Sequence, residues 1–434
     1  MQFENQSSQF ELRNWEYKIR NRGEFRISSF EFRVSNFEFR ISNFQFRISS
    51  FEFRVKVILV LGGFQHVLIP GHATSEGTDR FRRRFEARLP GHFREFQGLW
   101  LSSIGIGTYL GEPTAAYDAL YREAVADALE GGINVIDTAV NYRHQRSERA
   151  IAQALAAVIS SGKVQRDEVL IATKGGFLSF DGSEPDDPSD YFQRTLIDPG
   201  LFRPEEAVAG CHVMSPKYLE NQIEVSRQNL GIDTLDIYYL HNPETQVVHV
   251  SREEFDRRMR AAFAALEKAA GEGKIRMYGT ATWNGYRVGL ASHEALSLPE
   301  LLRLAEEVGG KDHHFRAIQL PYNLAMPEAL SARTQRVDGK AVPVLQVARA
   351  HGMLVFASAS LLQQKLTENL PEETRRWFPG LEKDAQRAIQ FVRSTPGITS
   401  ALVGMSRREH VLENLSTAQT PPLNLEQFRA IFNQ

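Results

Sequence analysis

From about residue 99 the chain keeps one rhythm: a short β-branched or apolar run, then a segment of helical period, eight times over. The apolar runs fall at 103–108, 134–137, 169–174, 235–241, 275–280, 317–320, 354–358 and 401–404. The helical patterns between and after them fall at 116–130, 148–159, 216–230, 252–270, 299–308, 344–350, 383–394 and 408–415. Short buried strands alternating with amphipathic helices predict parallel strands with helical crossovers, and eight such units are the count of a closed (β/α)8 barrel. The fold class expected is therefore α/β, a TIM-type (β/α)8 barrel. An open doubly wound sheet is the rival, but Gly105-Ile106-Gly107 lacks the third glycine of a phosphate turn and opens no helix.

Local punctuation agrees with these units. Ser251 and Glu254 have capping-box spacing, and Phe255, Met259, Ala262, Phe263 and Leu266 then recur on one face. Ser215 before Pro216 reads as an N-cap with proline at the first helical position. Glycines, Gly231 and Gly273 among them, stand where helices hand over to strands.

Residues 1–72 are of another kind. They hold twelve of the 28 phenylalanines and no Ala, Asp or Thr. A seven-residue unit recurs almost verbatim: EFRISSF from Glu24, EFRVSNF from Glu31, EFRISNF from Glu38 and QFRISSF from Gln45. Within each unit the apolar residues alternate in twos, which fits strands better than a coiled-coil seam. The blander expectation is translated repetitive sequence with no part in the function. Residues 1–85 are thus expected to form a dispensable repetitive extension and 86–434 the barrel, so that a chain starting near Arg84 keeps full activity.

Composition removes several classes of function. A net charge of -2 gives no reason to expect nucleic acid. No stretch approaches about 20 consecutive apolar residues, so no membrane span is expected. The single cysteine, Cys211, excludes an internal disulfide and fits a reducing, cytoplasmic setting. Metal-site spacings and a Gly-x-Ser-x-Gly elbow are missing, and no obligate protein partner is implied. A small-molecule substrate remains.

On a barrel, chemistry sits where strands end. Asp137 ends the second run, Lys174 the third and His241 the fourth, while Tyr142 lies in the loop after Asp137. These four residue types share one chemistry, proton transfer to a carbonyl oxygen. A free phenol titrates near about 10, and a lysine ammonium beside it stabilises the phenolate. Aspartate keeps that lysine charged and directed, and histidine orients the carbonyl. A Schiff-base role for Lys174 is the chemical alternative.

The motifs IGIGTY (104–109), GGINVIDTAVNY (131–142), IATKGG (171–176), LDIYYLHNP (235–243), QLPYNL (319–324) and VGMSRREHVLENL (403–415) resemble those of the aldo-keto reductase superfamily, over about 99–418. The resemblance implies a barrel enzyme reducing aldehydes or ketones reversibly with a nicotinamide cofactor, and Asp137, Tyr142, Lys174 and His241 as its catalytic tetrad. It implies cofactor contacts at Thr108, Thr282, Gln319, Ser358, Ser360 and Leu361. At the adenosine end it implies Gly404, Met405, Ser406, Arg407, His410, Glu413 and Asn414. Two positions depart from the pattern. Ala281-Thr282 stand where Ser-Asn is usual, and Ser358 replaces the aromatic that stacks on nicotinamide, leaving Trp283 or Tyr322 to supply a face. Arg407 favours NADPH over NADH by pairing with a 2′-phosphate. The departures keep open a non-catalytic NADP-binding sensor or regulatory protein on the same barrel.

The stretch between Lys174 and His241 is long for the family. Its excess, 178–214, carries eight acids against two arginines. It is expected to overhang the site, with Phe177, Tyr191, Phe192 and Phe202 lining the substrate pocket.

Overall fold

The computed structural model describes residues 68–433, and before them the strands Tyr17–Arg20, Glu24–Ile27, Phe30–Val34 and Phe37–Ile41. Two compact units result, Met1–Gln65 and His66–Gln434. In the first, the alternation of the repeat is realised as two antiparallel pairs, Tyr17–Arg20 with Glu24–Ile27 and Phe30–Val34 with Phe37–Ile41.

The second unit is a closed barrel of eight parallel strands. They are β1 (Ile104–Gly107), β2 (Val135–Asp137), β3 (Leu170–Gly175), β4 (Leu235–His241), β5 (Ile275–Ala281), β6 (Phe315–Pro321), β7 (Leu354–Ser358) and β8 (Ser400–Gly404). Each strand pairs with the next, and β8 closes on β1 with Gly404 opposite Gly107. Helices α1 (Ala115–Gly131), α2 (Arg146–Ser160), α3 (Pro216–Leu230), α4 (Arg252–Gly271), α5 (Leu298–Gly309), α6 (Val344–Ala350), α7 (Asp384–Ser394) and α8 (Arg408–Thr417) follow the strands in turn. The barrel, not the open sheet, is what forms.

The period of two along each strand divides the core. Val135, Ala172, Ile237, Tyr239, Ala317, Phe356 and Leu402 share the inner cluster. Tyr238 and Leu240 point the other way, into the layer beneath the helices. On α4 the apolar stripe of Phe255, Met259, Ala262, Phe263 and Leu266 is buried as its spacing requires. Ser251 caps this helix by accepting from the Glu254 N–H, but the Glu254 carboxylate turns to Arg257 and Arg258 instead of closing a box. Ser215 stands at the N-cap of α3 without capping it, its hydroxyl donating to the Leu201 carbonyl at 3.3 Å. Gly231 ends α3 at φ 66, where any other residue is strained.

The N-terminal ends of the strands are closed by residues that composition assigned elsewhere. A helix, Ser75–Phe85, starts at a Thr74 cap and buries Thr78, Phe81 and Phe85. A hairpin, Phe93–Phe96 with Leu99–Ser102, leads into β1 and contributes Phe96 and Leu101 to the inner cluster. Gly77 approaches the turn before β3 so closely that a Cβ there would lie 2.2 Å from the Asp167 carbonyl oxygen. The expected boundary at residue 86 therefore moves to His66. Composition marked where the repeat ends, but this helix is fixed by phenylalanines fitting beneath the barrel, which no local pattern displays.

Candidate active site

The C-terminal ends of the strands surround a cavity of about 1110 Å³. At its floor, strand register brings the reactive groups together. Asp137 is paired with Ala172 on β3, and Lys174 with Tyr239 on β4. Residues two apart share a face, so Lys174 follows Ala172 inward and His241 follows Tyr239. Lys174 is fully buried. Its ammonium donates to Asp137 Oδ2 and to the Thr138 carbonyl, both at 2.7 Å. The same nitrogen lies 4.8 Å from the centre of the Tyr142 ring. Asp137 Oδ1 accepts from Gln319 Nε2 at 2.7 Å, so both carboxylate oxygens are engaged.

Tyr142 is held by a demanding piece of backbone. Arg143, His144 and Gln145 follow it with φ of 51°, 55° and 69°, three left-handed residues without a glycine. Such conformations persist only when their surroundings fix them. Here the buried Arg143 guanidinium reaches Asp118 at 2.6 Å and the Glu112 carbonyl at 3.0 Å. The Tyr142 ring packs edge-on against Tyr109 and His241, with centroids 5.0 and 5.8 Å away.

Electrostatics assigns states to these groups. Burial pushes the Tyr142 hydroxyl above its ordinary range while the Lys174 cation pulls it back, leaving a phenol protonated at neutral pH. Burial opposes charge on Lys174, but Asp137 and Tyr142 outweigh it, and the ammonium stays charged. Burial, then the Lys174 charge, hold His241 well below the usual imidazole range. The site thus combines a neutral imidazole, a protonated phenol and an ammonium–carboxylate pair.

The residues expected to meet a cofactor divide into two sets. Thr108, Thr282, Gln319, Ser358, Ser360, Leu361, Gly404, His410, Glu413 and Asn414 line the cavity together with Asp137, Tyr142 and His241. Met405 is instead buried in the core, Ser406 is half-buried, and Arg407 is exposed at the cap of α8, none of them lining the cavity. Glu413 is bonded to Lys383 at 2.6 Å. Of the two stacking candidates, Trp283 lines the cavity and is 42% exposed, its loop pinned by Glu244 accepting from the N–H groups of Trp283 and Asn284. Tyr322 is core, buried and stacked on Phe391.

A dinucleotide fits these residues on one further observation. Thr114, Ser251 and Ser297 cap α1, α4 and α5 by accepting a backbone N–H, whereas α2, α3, α6 and α7 have no side-chain cap, so a missing cap alone marks no phosphate groove. The N-terminus of α8, beside cavity-lining Gly404, has no side-chain cap. Free N–H groups at a helix start suit a phosphate.

One expectation fails here. Of the four aromatics assigned to the substrate pocket, only Phe177 lines the cavity. Phe202 packs on Tyr218 in a satellite core, and Tyr191 and Phe192 pack with Phe180. The few apolar side chains of this acidic segment pack on one another in place of the cavity wall. What sequence reasoning missed is the stretch after β7, which places Gln363, Gln364, Thr367, Glu368, Asn369 and Arg375 on the cavity wall. Its turn rests on left-handed Leu362, Gln363 and Gln364, and no glycine announces it.

The floor sets a buried ammonium–carboxylate pair against a phenol beneath a groove on the rim of a (β/α)8 barrel. The sequence profile of the Aldo/keto reductase family matches residues 103–433, and the chain belongs to that family. It is 30% identical over 186 residues to the NADH-specific methylglyoxal reductase of Escherichia coli K12, a match covering 42% of this chain and 48% of that protein. It is 23% identical over 342 residues to the uncharacterized oxidoreductase YqkF of Bacillus subtilis 168, covering 76% and 92%. The structure of a Klebsiella pneumoniae aldo/keto reductase in complex with NADP and acetate superposes with a TM-score of 0.52 at 21% identity, covering 79% of this chain and 94% of that one. Aldo-keto reductase AKR11C1 of Bacillus halodurans, in its holo form, gives 0.51 at 20%. Among the described residues no helix is long and apolar enough to cross a membrane.

Proposed function

We propose that this chain reduces an aldehyde or ketone to the alcohol, reversibly, with Tyr142 as general acid and NADPH as the preferred cofactor. The observation that carries this reading is Lys174, buried and bonded to Asp137 and Thr138, with its charge against the Tyr142 ring at the cavity floor. When bound, the reduced nicotinamide supplies a hydride to the carbonyl carbon. As negative charge develops on the carbonyl oxygen, Tyr142 gives up its hydroxyl proton to it. The phenolate left behind is stabilised by the Lys174 ammonium, whose own charge Asp137 maintains. The His241 Nδ1 is buried with no partner, which favours the proton on Nε2, where it hydrogen-bonds the carbonyl oxygen and orients it. In the reverse direction the same tyrosine takes the proton back.

Support for NADPH comes from exposed Arg407 at the uncapped start of α8 and from the NADP complex of the Klebsiella neighbour; the Escherichia coli relative is NADH-specific. The deciding experiment follows NADPH and NADH oxidation against a panel of carbonyls. Tyr142→Phe is expected to lower kcat by about 10²–10⁴-fold with cofactor binding intact. Cofactor binding without turnover of any carbonyl by the unmodified chain would instead identify a sensor.

A further inference from the structure

We propose that His212 is a positioning residue for His241, and that delivering it is the task of the long segment after β3. The proposal rests on the carbonyl-orienting role given to His241 above. That imidazole has no bond on Nδ1, so no hydrogen bond there fixes its direction. The anchor lies on its backbone instead. His212 is fully buried, with Nε2 2.7 Å from the His241 carbonyl oxygen. The next residue, Asn242, turns away at φ 48°, so this carbonyl ends β4 at a strained corner.

The direction of every bond in this support follows from one cation. Arg258 on α4 donates to Gln246 Oε1 at 2.6 Å, which makes that oxygen the acceptor and Nε2 the donor. Gln246 Nε2 then donates to His212 Nδ1 at 2.9 Å and to the His212 carbonyl at 3.0 Å. Nδ1 accepts, so the His212 proton sits on Nε2 and points at His241. Burial holds this imidazole down to about 4, which keeps it neutral, while the Gln246 amide selects the tautomer.

Packing reinforces the same geometry. The Phe177 ring meets both imidazoles edge-on, 4.9 Å from His212 and 5.0 Å from His241. The segment is pinned to the end of β3 by Val213 N–H to Gly176 O and Leu178 N–H to Cys211 O, each 2.8 Å. At Gly176, φ 135°, a Cβ would come within 2.9 Å of His212 Nε2. Only glycine leaves room for the ring.

The test compares His212→Phe, which keeps a ring against Phe177 and deletes the N–H, with His212→Gln, which restores a donor near the same place. Steady-state kinetics are run beside the unmodified chain and Tyr142→Phe. His212→Phe is expected to lower kcat about tenfold or more, leave NADPH affinity within about twofold by fluorescence quenching, and be largely rescued by His212→Gln. Equal losses in both variants, or no loss in His212→Phe, overturn the proposal. A second readout needs no turnover. Imidazole ¹⁵N spectra of the full chain are expected to show His212 protonated on Nε2, and His241 resonances that shift in His212→Phe and return in His212→Gln. Unmoved His241 resonances overturn it. Should His212→Phe not fold, Arg258→Met frees the Gln246 amide and is expected to mix the His212 tautomers; a tautomer left single there also overturns the proposal. Absence of turnover in the unmodified chain would fall on the reading of the site, while the spectra still decide the role of His212.

Discussion

The two ends of the barrel bury polar groups for opposite purposes. At the N-terminal end, Asp236 accepts from Ala73 N–H at 2.6 Å, Ile171 N–H at 2.9 Å and Arg166 at 2.7 Å. Asn134 likewise receives Ser102 N–H and donates to the carbonyls of Trp100 and Glu168. These bonds run mostly to backbone, between segments far apart in sequence, and tie the hairpin and helix to the strands. At the C-terminal end Lys174 and Asp137 are as deeply buried and as well paired, but their charges converge on one phenol that donates to no protein group among the described residues. Near it, His241 Nδ1 and Asn141 Oδ1 are buried without partners. Arg166 Nε at the other end is buried without a partner as well, so what separates the two ends is where the charges are spent: bonds to backbone hold a fold together, whereas charges gathered around a free hydroxyl mark a place where something else binds.

The sharpest way to break this contrast is to remove the floor. A chain starting at His66 keeps the compact unit whole and is expected to match the full chain in melting temperature and activity. A chain starting at residue 86 loses buried Thr78, Phe81 and Phe85, and Arg80 and Arg84 leave Glu168 unpaired. At roughly 2–3 kcal/mol for each fully buried phenylalanine, the loss is about 5 kcal/mol, comparable to the whole stability of many domains. Thermal unfolding of the two truncations reads the difference. A stable, active chain from residue 86 would make the closure ornamental.

Exchanging single cations between the two ends comes next. Lys174→Met and Arg166→Met each strand a buried aspartate, a change that costs about 3–5 kcal/mol when the charge has no escape. Asp236 is held by two further N–H groups that demand a carboxylate, so Arg166→Met is expected to unfold early in urea while its folded fraction turns over normally. Burial already pulls the Asp137 carboxyl upward, and it can take a proton. Lys174→Met is therefore expected to lose less stability and about 10³-fold in kcat. Equal kinetic loss in both variants would erase the distinction.

Legibility in the sequence follows the same division. The strands were readable because period-two runs and helical stripes are local patterns, and Asp137, Lys174 and His241 because a strand's last residue must face the rim. The company these residues keep was less readable. Gln319 carries no sign that its amide is spent on Asp137, and nothing in the stretch after β7 shows that three non-glycine residues turn left-handed. His212 reads as one more loop histidine until Arg258, from another helix, fixes its proton. The floor helix was hidden for a related reason: its phenylalanines sit a few residues beyond a Phe-rich repeat, and only long-range packing separates the two.

Acid distinguishes the ends more gently. Burial depresses His92, bonded to Ser103 and Gly132 at the floor, and His241 at the rim, both well below 6.5. The unfolded chain takes up protons that these folded imidazoles refuse, so their stabilisation is full above about pH 6.5 and falls as pH drops below it. Each histidine therefore adds to the loss of stability as pH falls through and below about 6.5. His92→Gln and His241→Gln are both expected to flatten the dependence of urea midpoint on pH. Only the second is expected to remove activity at pH 7.

The smallest effect concerns the far end of the groove. Arg408 is already paired with Asp127 at 2.7 Å, whereas Arg407 is exposed beside uncapped N–H groups and has no ion-pair partner among the described residues. A positive side chain at a helix start is disfavoured by the dipole unless an anion arrives there. If that anion is a 2′-phosphate, Arg407→Ala raises KM for NADPH about tenfold, the loss of one charge-assisted contact in water, and leaves NADH unaffected. Equal change for both cofactors would place Arg407 on the shared pyrophosphate, and no change for either would return it to solvent. The floor proposed to be catalytic is indifferent to this choice, because the uncapped N–H groups of α8 would remain to meet a phosphate of either dinucleotide.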